Sequence, residues 1–388
     1  MPTRLARVRG DVFGGLTAGV VALPLALAFG VASGAGAAAG LYGAIALGLV
    51  AAVFGGTRPQ VSGPTGPMTV VTASAVALFG GDLAAVAVVV LLAGALQIVY
   101  GLAGIGGMIR FIPYPVISGF MNGIGVIIIL LQLPVLFGAA AAGSPMAAVA
   151  ALPAAVMGAD WASLGLGLAT LAVVFLTPGR ISRVLPSPLI ALLGLSCAAA
   201  WLGLDVPTIG SIPSGLPELH LPALDMGRLP GMVGLAISLS LLGTIDTLLT
   251  SIVADSMTRE RHDPRRELVG QGLGNMAAGL VGGLPGAGAT MRTVVSIKAG
   301  GRSRLSGVVH AVFLLAVAAG LGPLAADIPL AVLAGILLKV GADILDYRFL
   351  KLARTAPRPD LLVMAVVFAV TVFVDLIVAV GVGVTLAS

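Results

Sequence analysis

The chain has 388 residues, of which 58% are hydrophobic and only 10% are charged. An ordinary soluble domain carries roughly 25% charged residues, so the charges here are too few to cover a soluble protein of this length. The basic residues are scattered over short loops, which argues against a nucleic-acid partner. The single cysteine, Cys197, excludes a disulfide framework and a cysteine metal cluster. The composition predicts an all-α membrane protein.

Apolar runs of roughly 17 to 25 residues, bounded by charges or Gly/Pro clusters, are candidate membrane spans. The sequence contains fourteen of them. They lie near residues 12–32, 37–55, 61–79, 84–103, 115–137, 161–178, 185–203, 231–254, 268–284, 286–298, 305–325, 328–344, 358–374 and 375–387. The segments around 138–160 and 204–230 are predicted to be the largest outer loops.

The distribution of basic residues tests this topology, because cytoplasmic loops carry an excess of Lys and Arg. With the N-terminus in the cytoplasm, 18 of the 21 basic residues lie on the inner side. They are Arg4, Arg7, Arg9, Arg58, Arg110, Arg180, Arg183, Arg259, Arg261, Arg265, Arg266, Lys298, Arg302, Arg304, Arg348, Lys351, Arg354 and Arg358. The pattern predicts a multi-pass protein of the inner (plasma) membrane with a cytoplasmic N-terminus.

Two spans contain turn-forming residues where an ordinary spanning helix has none. The segment Ser62–Pro67 opens the third span and Gly283–Thr290 opens the tenth, which is the third span of the second half. Two halves of seven spans must insert in opposite orientations, since seven is odd, and matching broken helices in such inverted repeats indicate a binding site near the bilayer midplane. We therefore predict repeats at 1–203 and 204–388, with half-helices at spans 3 and 10. The alternative is that the Gly/Pro pairs only kink two helices for packing.

A half-helix that begins inside the membrane presents unpaired N–H groups and the positive end of its dipole, both of which suit an anion. Thr65 and Thr69 at the first break, and Ala289 and Thr290 at the second, are placed to supply hydroxyls and amides. Arg292 follows within the same span and is expected to attract or balance the anion. Alternatively, its side chain reaches the interface along a short helix.

Asp246 is the most isolated acidic residue and lies inside the eighth span. Its carboxylate could take up a proton, or hold a sodium ion together with Thr250 one helical turn away. A structural partnership with Arg292 is the alternative. Gln271 and Asn275 are spaced i, i+4 in the ninth span and fit either helix–helix hydrogen bonds or site residues.

No pattern of enzyme chemistry is present. The three histidines, His220, His262 and His310, are widely separated, which disfavours a zinc site. The segment Gly286–Gly288 belongs to no phosphate-binding fingerprint. We expect no enzymatic activity, no cofactor, no structural metal and no ATP-driven pump.

Several of these segments together resemble the sulfate permease (SulP) family, the bacterial branch of the solute-carrier-26 anion transporters, and within it the BicA-type bicarbonate transporters. The likeness covers nearly the whole chain and is carried by Arg9–Phe29, Gly63–Thr69, Pro115–Phe120 and Gly286–Gly301. It implies a UraA-like fold in which a core domain (spans 1–4 and 8–11) moves against a gate domain (spans 5–7 and 12–14). It also implies a homodimer embedded in membrane lipid.

The same resemblance implies the site residues. Substrate contacts carried over by motif are Phe29, Thr65, Ala289, Thr290 and Arg292, and a BicA-like sodium site would comprise Asp246, Thr250, Gly288 and Thr290. The chain departs from the family pattern at Ala38, where close relatives have Glu, and at Arg292, where BicA-like proteins tend to have Gly. The cytoplasmic STAS domain of the family is absent, so we expect a truncated transport domain.

We therefore expect a secondary active transporter of a small carboxylate or oxyanion, such as fumarate, bicarbonate or sulfate. Because Arg292 would repel a sodium ion, the coupling ion is expected to be a proton, with sodium-dependent bicarbonate symport as the alternative. An uncoupled or voltage-responsive anion channel and a nucleobase permease are the competing classes.

Overall fold

The computed structural model describes residues 4–105, 114–142, 144–182, 186–210, 219, 227–347 and 358–373. These residues are mostly helical, as the composition predicts. The helices are α1 Arg4–Ala32, α2 Ala37–Phe54, α3 Gly66–Leu78, α4 Leu83–Ala103, α5 Tyr114–Leu136, α6 Pro145–Met157, α7 Trp161–Leu176, α8 Gly179–Ser182, α9 Ser187–Trp201, α10 Leu229–Thr258, α11 Pro264–Leu280, α12 Thr290–Lys298, α13 Arg304–Ala325, α14 Leu330–Ile344 and α15 Arg358–Phe373. Two short strands, β1 Ser62–Gly63 and β2 Ala287–Gly288, precede α3 and α12.

Within this part of the chain, five helices are long and apolar enough to cross a bilayer. They contain Leu5–Ala32, Ala37–Phe54, Leu83–Ala103, Ser118–Leu136 and Leu229–Thr258, and the pair α6–α7, bent by 117°, adds a sixth candidate if it forms one broken span. Large apolar side chains such as Leu102, Trp161 and Trp201 are exposed to more than two thirds of their surface. An apolar exterior of this kind suits lipid rather than water, and the protein is a multi-pass membrane protein.

The described residues cluster into two units. Unit 1 takes its residues from Met1–Gly107, Gly179–Ile190 and Thr208–Ile328, and unit 2 takes them from Met108–Pro178, Ala191–Pro207 and Pro329–Ser388. In unit 1, α11 packs against α2 and α4, and α1 packs against α2 and α13. In unit 2, α14 packs against α5 and α7. Every predicted site residue lies in unit 1.

Both predicted breaks are real interruptions of helical structure. The third and tenth predicted spans each begin with extended backbone, and the helices α3 and α12 start only at Gly66 and Thr290. The two strands pair with each other in antiparallel fashion, with Ser62 opposite Gly288 and Gly63 opposite Ala287. This ladder satisfies backbone groups that would otherwise be unpaired in an apolar interior.

One face of α11 holds the segments that lead into both strands. The buried Glu267 carboxylate accepts hydrogen bonds from the Gly56 and Thr57 amides (2.8 and 2.7 Å) and from Gln60 Nε2 (2.7 Å). One turn further along, Gln271 Nε2 donates to Ser62 Oγ at 2.6 Å. The segment 56–62 is therefore anchored by a polar stripe on a single helix.

The next residue of that stripe anchors the second strand. Asn275 Nδ2 donates to the Gly286 carbonyl (3.0 Å) and to Gln97 Oε1 (2.7 Å), while the Gly286 amide donates to Asn275 Oδ1 (2.9 Å). Gln271 and Asn275 thus bind the extended segments, and only the bond to Gln97 joins two helices. Helix–helix hydrogen bonding, one of the two roles predicted for this pair, therefore does not describe all of its contacts.

The structure corrects one expectation about the outer loops. The segment 138–160, predicted as a loop, contains the helix α6. Ser144 caps α6 through the Ala147 amide and Pro145 occupies its first turn, which are ordinary start signals for a helix. The last predicted span, 375–387, and His220 lie outside the described residues, as does most of 204–230.

Gly286 provides a test of the strand pairing. A Cβ at Gly286 would lie 2.1 Å from the Gly63 carbonyl oxygen, so Gly286→Ala forces the paired segments apart. We expect a loss of about 1–3 kcal/mol, as for overpacking in general, seen as a lower Tm of the detergent-solubilised protein.

Gly194→Ala is the matched control, because a Cβ at this helical glycine meets nothing within 4 Å. This variant should keep or raise the Tm, since alanine favours a helix over glycine by about 1 kcal/mol. Equal melting temperatures for the two variants would show that the close approach of the strands is not required.

Candidate functional site

Two buried helix starts lie at the ends of the short ladder. Thr65 is the N-cap of α3 and Ala289 is the N-cap of α12, and neither provides a side-chain cap. By contrast, Asp82 and Asp263 cap α4 and α11 through backbone amides. The first amides of a helix have no partner within the helix, so uncapped and buried helix starts are suited to bind an anion.

Arg292 lies in the first turn of α12 and is 2% exposed. Its Nη2 donates to the Pro64 carbonyl, whereas its Nη1 is buried without a hydrogen-bond partner. A Cβ on Gly63 would lie 2.6 Å from Nη1, so the guanidinium lies directly against the glycine backbone of β1. This position excludes the alternative in which Arg292 reaches the interface.

Asp246 of α10 is the charged group facing this arginine. Its side chain is half-buried, lies beside Thr65 and is within electrostatic range of Arg292. The hydroxyl of Thr65 is itself buried and makes no hydrogen bond. Three polar groups from α3, α10 and α12 are thus brought together, and two of them have unused donors.

The residues of the implied sodium site also meet. Thr250 Oγ1 donates to the Gly288 carbonyl at 2.9 Å and lies 2.6 Å from Thr290 Oγ1. The Gly288 amide donates to Thr247 Oγ1 at 3.0 Å. These oxygens satisfy one another's hydrogen bonds, and Asp246 lies one helical turn before Thr250.

Two residues that were expected to offer polar groups to an anion use those groups in hydrogen bonds within the protein. The Ala289 amide donates to the Val61 carbonyl at 2.9 Å, because the strand pairing extends to that residue. The Thr69 hydroxyl donates to the Thr65 carbonyl at 2.8 Å, as a threonine inside a helix commonly does. The unengaged hydroxyl at the first break is therefore that of Thr65.

Two further residues of the predicted set lie in neighbouring helices. Phe29 is 4% exposed within α1, which packs against both α3 and α12. Ala38 is partly exposed in the first turn of α2. Ala44 lies six residues further along α2, or about 9 Å of helix. The Cα of Ala44 is 3.5 Å from a Cβ built on Gly63.

Two other polar residues near the ladder, Glu267 and His310, were not predicted as site residues from the sequence pattern. Glu267 sits in the first turn of α11, where acidic residues are common for reasons unrelated to a site, and its contacts are all more than 200 residues away except Gln271. His310 is fully buried and within electrostatic range of Arg292.

The arrangement offers positive potential in an enclosed place. A buried guanidinium with an unused donor, two uncapped helix starts and a free hydroxyl favour a small anion. The half-buried carboxylate beside them limits the net charge when it is ionised. Nothing among the described residues forms a group of three His, Cys, Asp or Glu side chains that could hold a metal ion.

Comparison with known sequences matches residues 8–367 to the sulfate permease family. The chain is 50% identical over 389 residues to a bicarbonate transporter BicA from Synechocystis sp., covering 98% of this chain and 69% of that protein. It is 33% identical to the putative sulfate transporter YvdB of Bacillus subtilis, covering 99% and 73%. These relatives are named as transporters, in agreement with the expectation that the chain is not an enzyme.

Solved structures agree with the sequence matches. The transmembrane domain of a cyanobacterial bicarbonate transporter BicA superposes with a TM-score of 0.90 at 48% identity, covering 98% of this chain and 99% of that one. The structure of SLC26A9 shares the fold, with a TM-score of 0.85 at 20% identity over 97% of this chain and 64% of that one. On the match to its family model and on these relatives, the chain belongs to the sulfate permease family.

Proposed function

We propose that the protein is a secondary active transporter that carries a small oxyanion or carboxylate across the membrane by alternating access, coupled to a proton. The observation that carries this proposal is the buried Arg292, whose Nη1 has no partner and lies beside two uncapped helix starts. A buried donor without an acceptor is costly, by about 1–3 kcal/mol or more for a charged group. An anion that accepts from it recovers that cost.

The charge of the site limits the substrate class. One arginine supplies one positive charge and each helix start about half a charge, so together they can balance an anion of one or two negative charges. Bicarbonate, sulfate and a dicarboxylate such as fumarate are therefore the anions to compare. The relatives named as bicarbonate and sulfate transporters support the first two.

Asp246 is the proposed coupling residue. Its carboxylate faces Arg292 and Thr65, so its protonation changes the charge that the anion meets. In the alternative, sodium binds the oxygens of Thr250, Gly288 and Thr290 together with Asp246. The nearby Arg292 opposes a second cation, which favours the proton.

The remaining features of the proposal follow from the family resemblance. They are a core domain from spans 1–4 and 8–11 that moves against a gate domain from spans 5–7 and 12–14, a homodimer, and a plasma-membrane location with the N-terminus in the cytoplasm. Membrane lipid and a small inorganic or organic anion are the proposed partners.

Arg292 provides the first functional test. Replacing it by Gln removes the charge and the free donor, and a charge-assisted hydrogen bond contributes about 1.5–3 kcal/mol. We expect Arg292→Gln to reduce uptake of radiolabelled bicarbonate, sulfate or fumarate into proteoliposomes by at least about tenfold. The substrate is the anion whose uptake falls.

Lys298→Gln is the matched control on the same half-helix, because Lys298 is exposed in the last turn of α12. It should transport at the wild-type rate. If Arg292→Gln and Lys298→Gln retain equal uptake, the arginine does not meet the anion and the proposal fails.

Asp246 provides the test of coupling. In proteoliposomes with an imposed proton gradient, Asp246→Asn should abolish gradient-driven accumulation while retaining exchange of anion for anion, because the site keeps Arg292 but cannot change its protonation. Asp255→Asn is the control, since Asp255 lies on the same helix but pairs with His262. Ala38→Glu, measured alongside, shows whether the carboxylate that the family resemblance implies at this position changes coupling.

The competing functions give different results in the same assay. Accumulation that follows a sodium gradient, and that is lost in Thr250→Val, would replace the proton with sodium. Currents far above carrier turnover would indicate a channel, and competition by uracil would indicate a nucleobase permease. Proton-driven accumulation in Asp246→Asn at the wild-type level would contradict the role given to that carboxylate.

A further inference from the structure

Four arginines line a cavity in unit 1, away from the helix starts. This cavity of about 650 Å³ is bounded by four separate segments: the start of α1, the connection from α2 to β1, the end of α10 and the connection from α12 to α13. Each segment contributes one arginine to its lining, namely Arg7, Arg58, Arg259 and Arg302. The cavity shares no residue with the proposed transport site.

The acidic residues of this cavity do not cancel its charge. Asp11 is occupied by the Arg302 and Ser303 amides, at 2.6 and 2.9 Å, and by the Ser303 hydroxyl. Glu260 lies 3.8 Å from Arg58, and both side chains are about half exposed or more (48% and 65%), so this pair is weak. Guanidinium groups stay protonated, and the cavity therefore carries excess positive charge.

Arg259 occupies an unusual backbone position for a side chain of its size. It ends α10 with φ 59° and ψ 30°, and it is the one residue other than glycine with positive φ in the described part of the chain. Glycine is the usual residue at such a helix end, because a Cβ is strained in the left-handed region. Strain of this kind concentrates at functional sites, and here it places a fourth arginine at the cavity.

These observations identify the chemistry that the cavity would bind. Several arginines that converge from different segments match the oxygens of phosphate groups, which accept paired hydrogen bonds from guanidinium. The volume of about 650 Å³ exceeds what a single small oxyanion fills and lies in the range of ligand pockets. We propose that this cavity is a binding site for a phosphate-bearing anion, either the headgroup of an anionic phospholipid or a soluble diphosphate.

The test uses the full chain in nanodiscs and two probes. Radiolabelled pyrophosphate is titrated onto protein in phosphatidylcholine nanodiscs, and phosphatidylglycerol retained from mixed nanodiscs is counted by native mass spectrometry. The variants are the double substitution Arg58→Gln/Arg302→Gln, the single substitution Arg259→Gly, and Arg265→Gln as an exposed arginine outside the cavity lining.

We expect wild type and Arg265→Gln to bind one probe equally, and the double variant to bind it at least about tenfold more weakly, which corresponds to the loss of roughly one charge-assisted bond. Arg259→Gly should weaken binding while raising the Tm, because glycine relieves the backbone strain but removes a charge. If Arg259 had only a structural role, probe binding and the Tm would not change in opposite directions.

The two probes identify the source of the phosphate. Binding of phosphatidylglycerol alone supports a lipid headgroup, and binding of pyrophosphate alone supports a soluble ligand. If the double variant binds each probe as tightly as wild type does, the proposed site is wrong. If Arg259→Gly binds the probe as tightly as wild type does, Arg259 is not part of the site.

Discussion

The polar face of α11 is the feature on which the central part of unit 1 depends. Glu267, Gln271 and Asn275 follow one another at intervals of four residues, and together they bind the segments that precede both strands. In an apolar interior, an extended segment without partners for its amides and carbonyls would cost several kcal/mol per group. These three side chains, together with the strand pairing, allow helical structure to stop and restart inside a membrane protein.

The helix starts lie beyond the reach of this support. The ladder and α11 satisfy the backbone before Thr65 and Ala289, whereas the first amides of α3 and α12 receive no side-chain cap. The polar ends of these helices are left for another group. Glycine at position 63 then lets the Arg292 guanidinium approach the backbone, where any Cβ would lie 2.6 Å from Nη1.

The sequence was informative where the signal was local. Gly/Pro clusters in two apolar runs predicted both breaks, and a lone arginine and a lone aspartate within spans predicted the charged residues that the structure brings together. Strand pairing between residues 62–63 and 287–288 could not be predicted, since two-residue strands carry no periodicity. Glu267 was missed because its role depends on contacts more than 200 residues away, and the engagement of the Ala289 amide followed from the unpredicted ladder.

Charge balance gives the proposed coupling a physical basis. When Asp246 is ionised, its charge and that of Arg292 cancel, and a bound monoanion then makes the sum of the formal charges negative. When Asp246 is protonated, the arginine remains and the same anion makes the site neutral. An enclosed site of low dielectric favours the neutral combination, so the proton and the anion each increase the affinity for the other, as thermodynamic linkage requires. A sodium ion beside Arg292 would instead bring a second positive charge next to the first, and the anion would then have to offset both. The side chain that attracts the substrate is thereby also the one that favours a proton as the coupling ion.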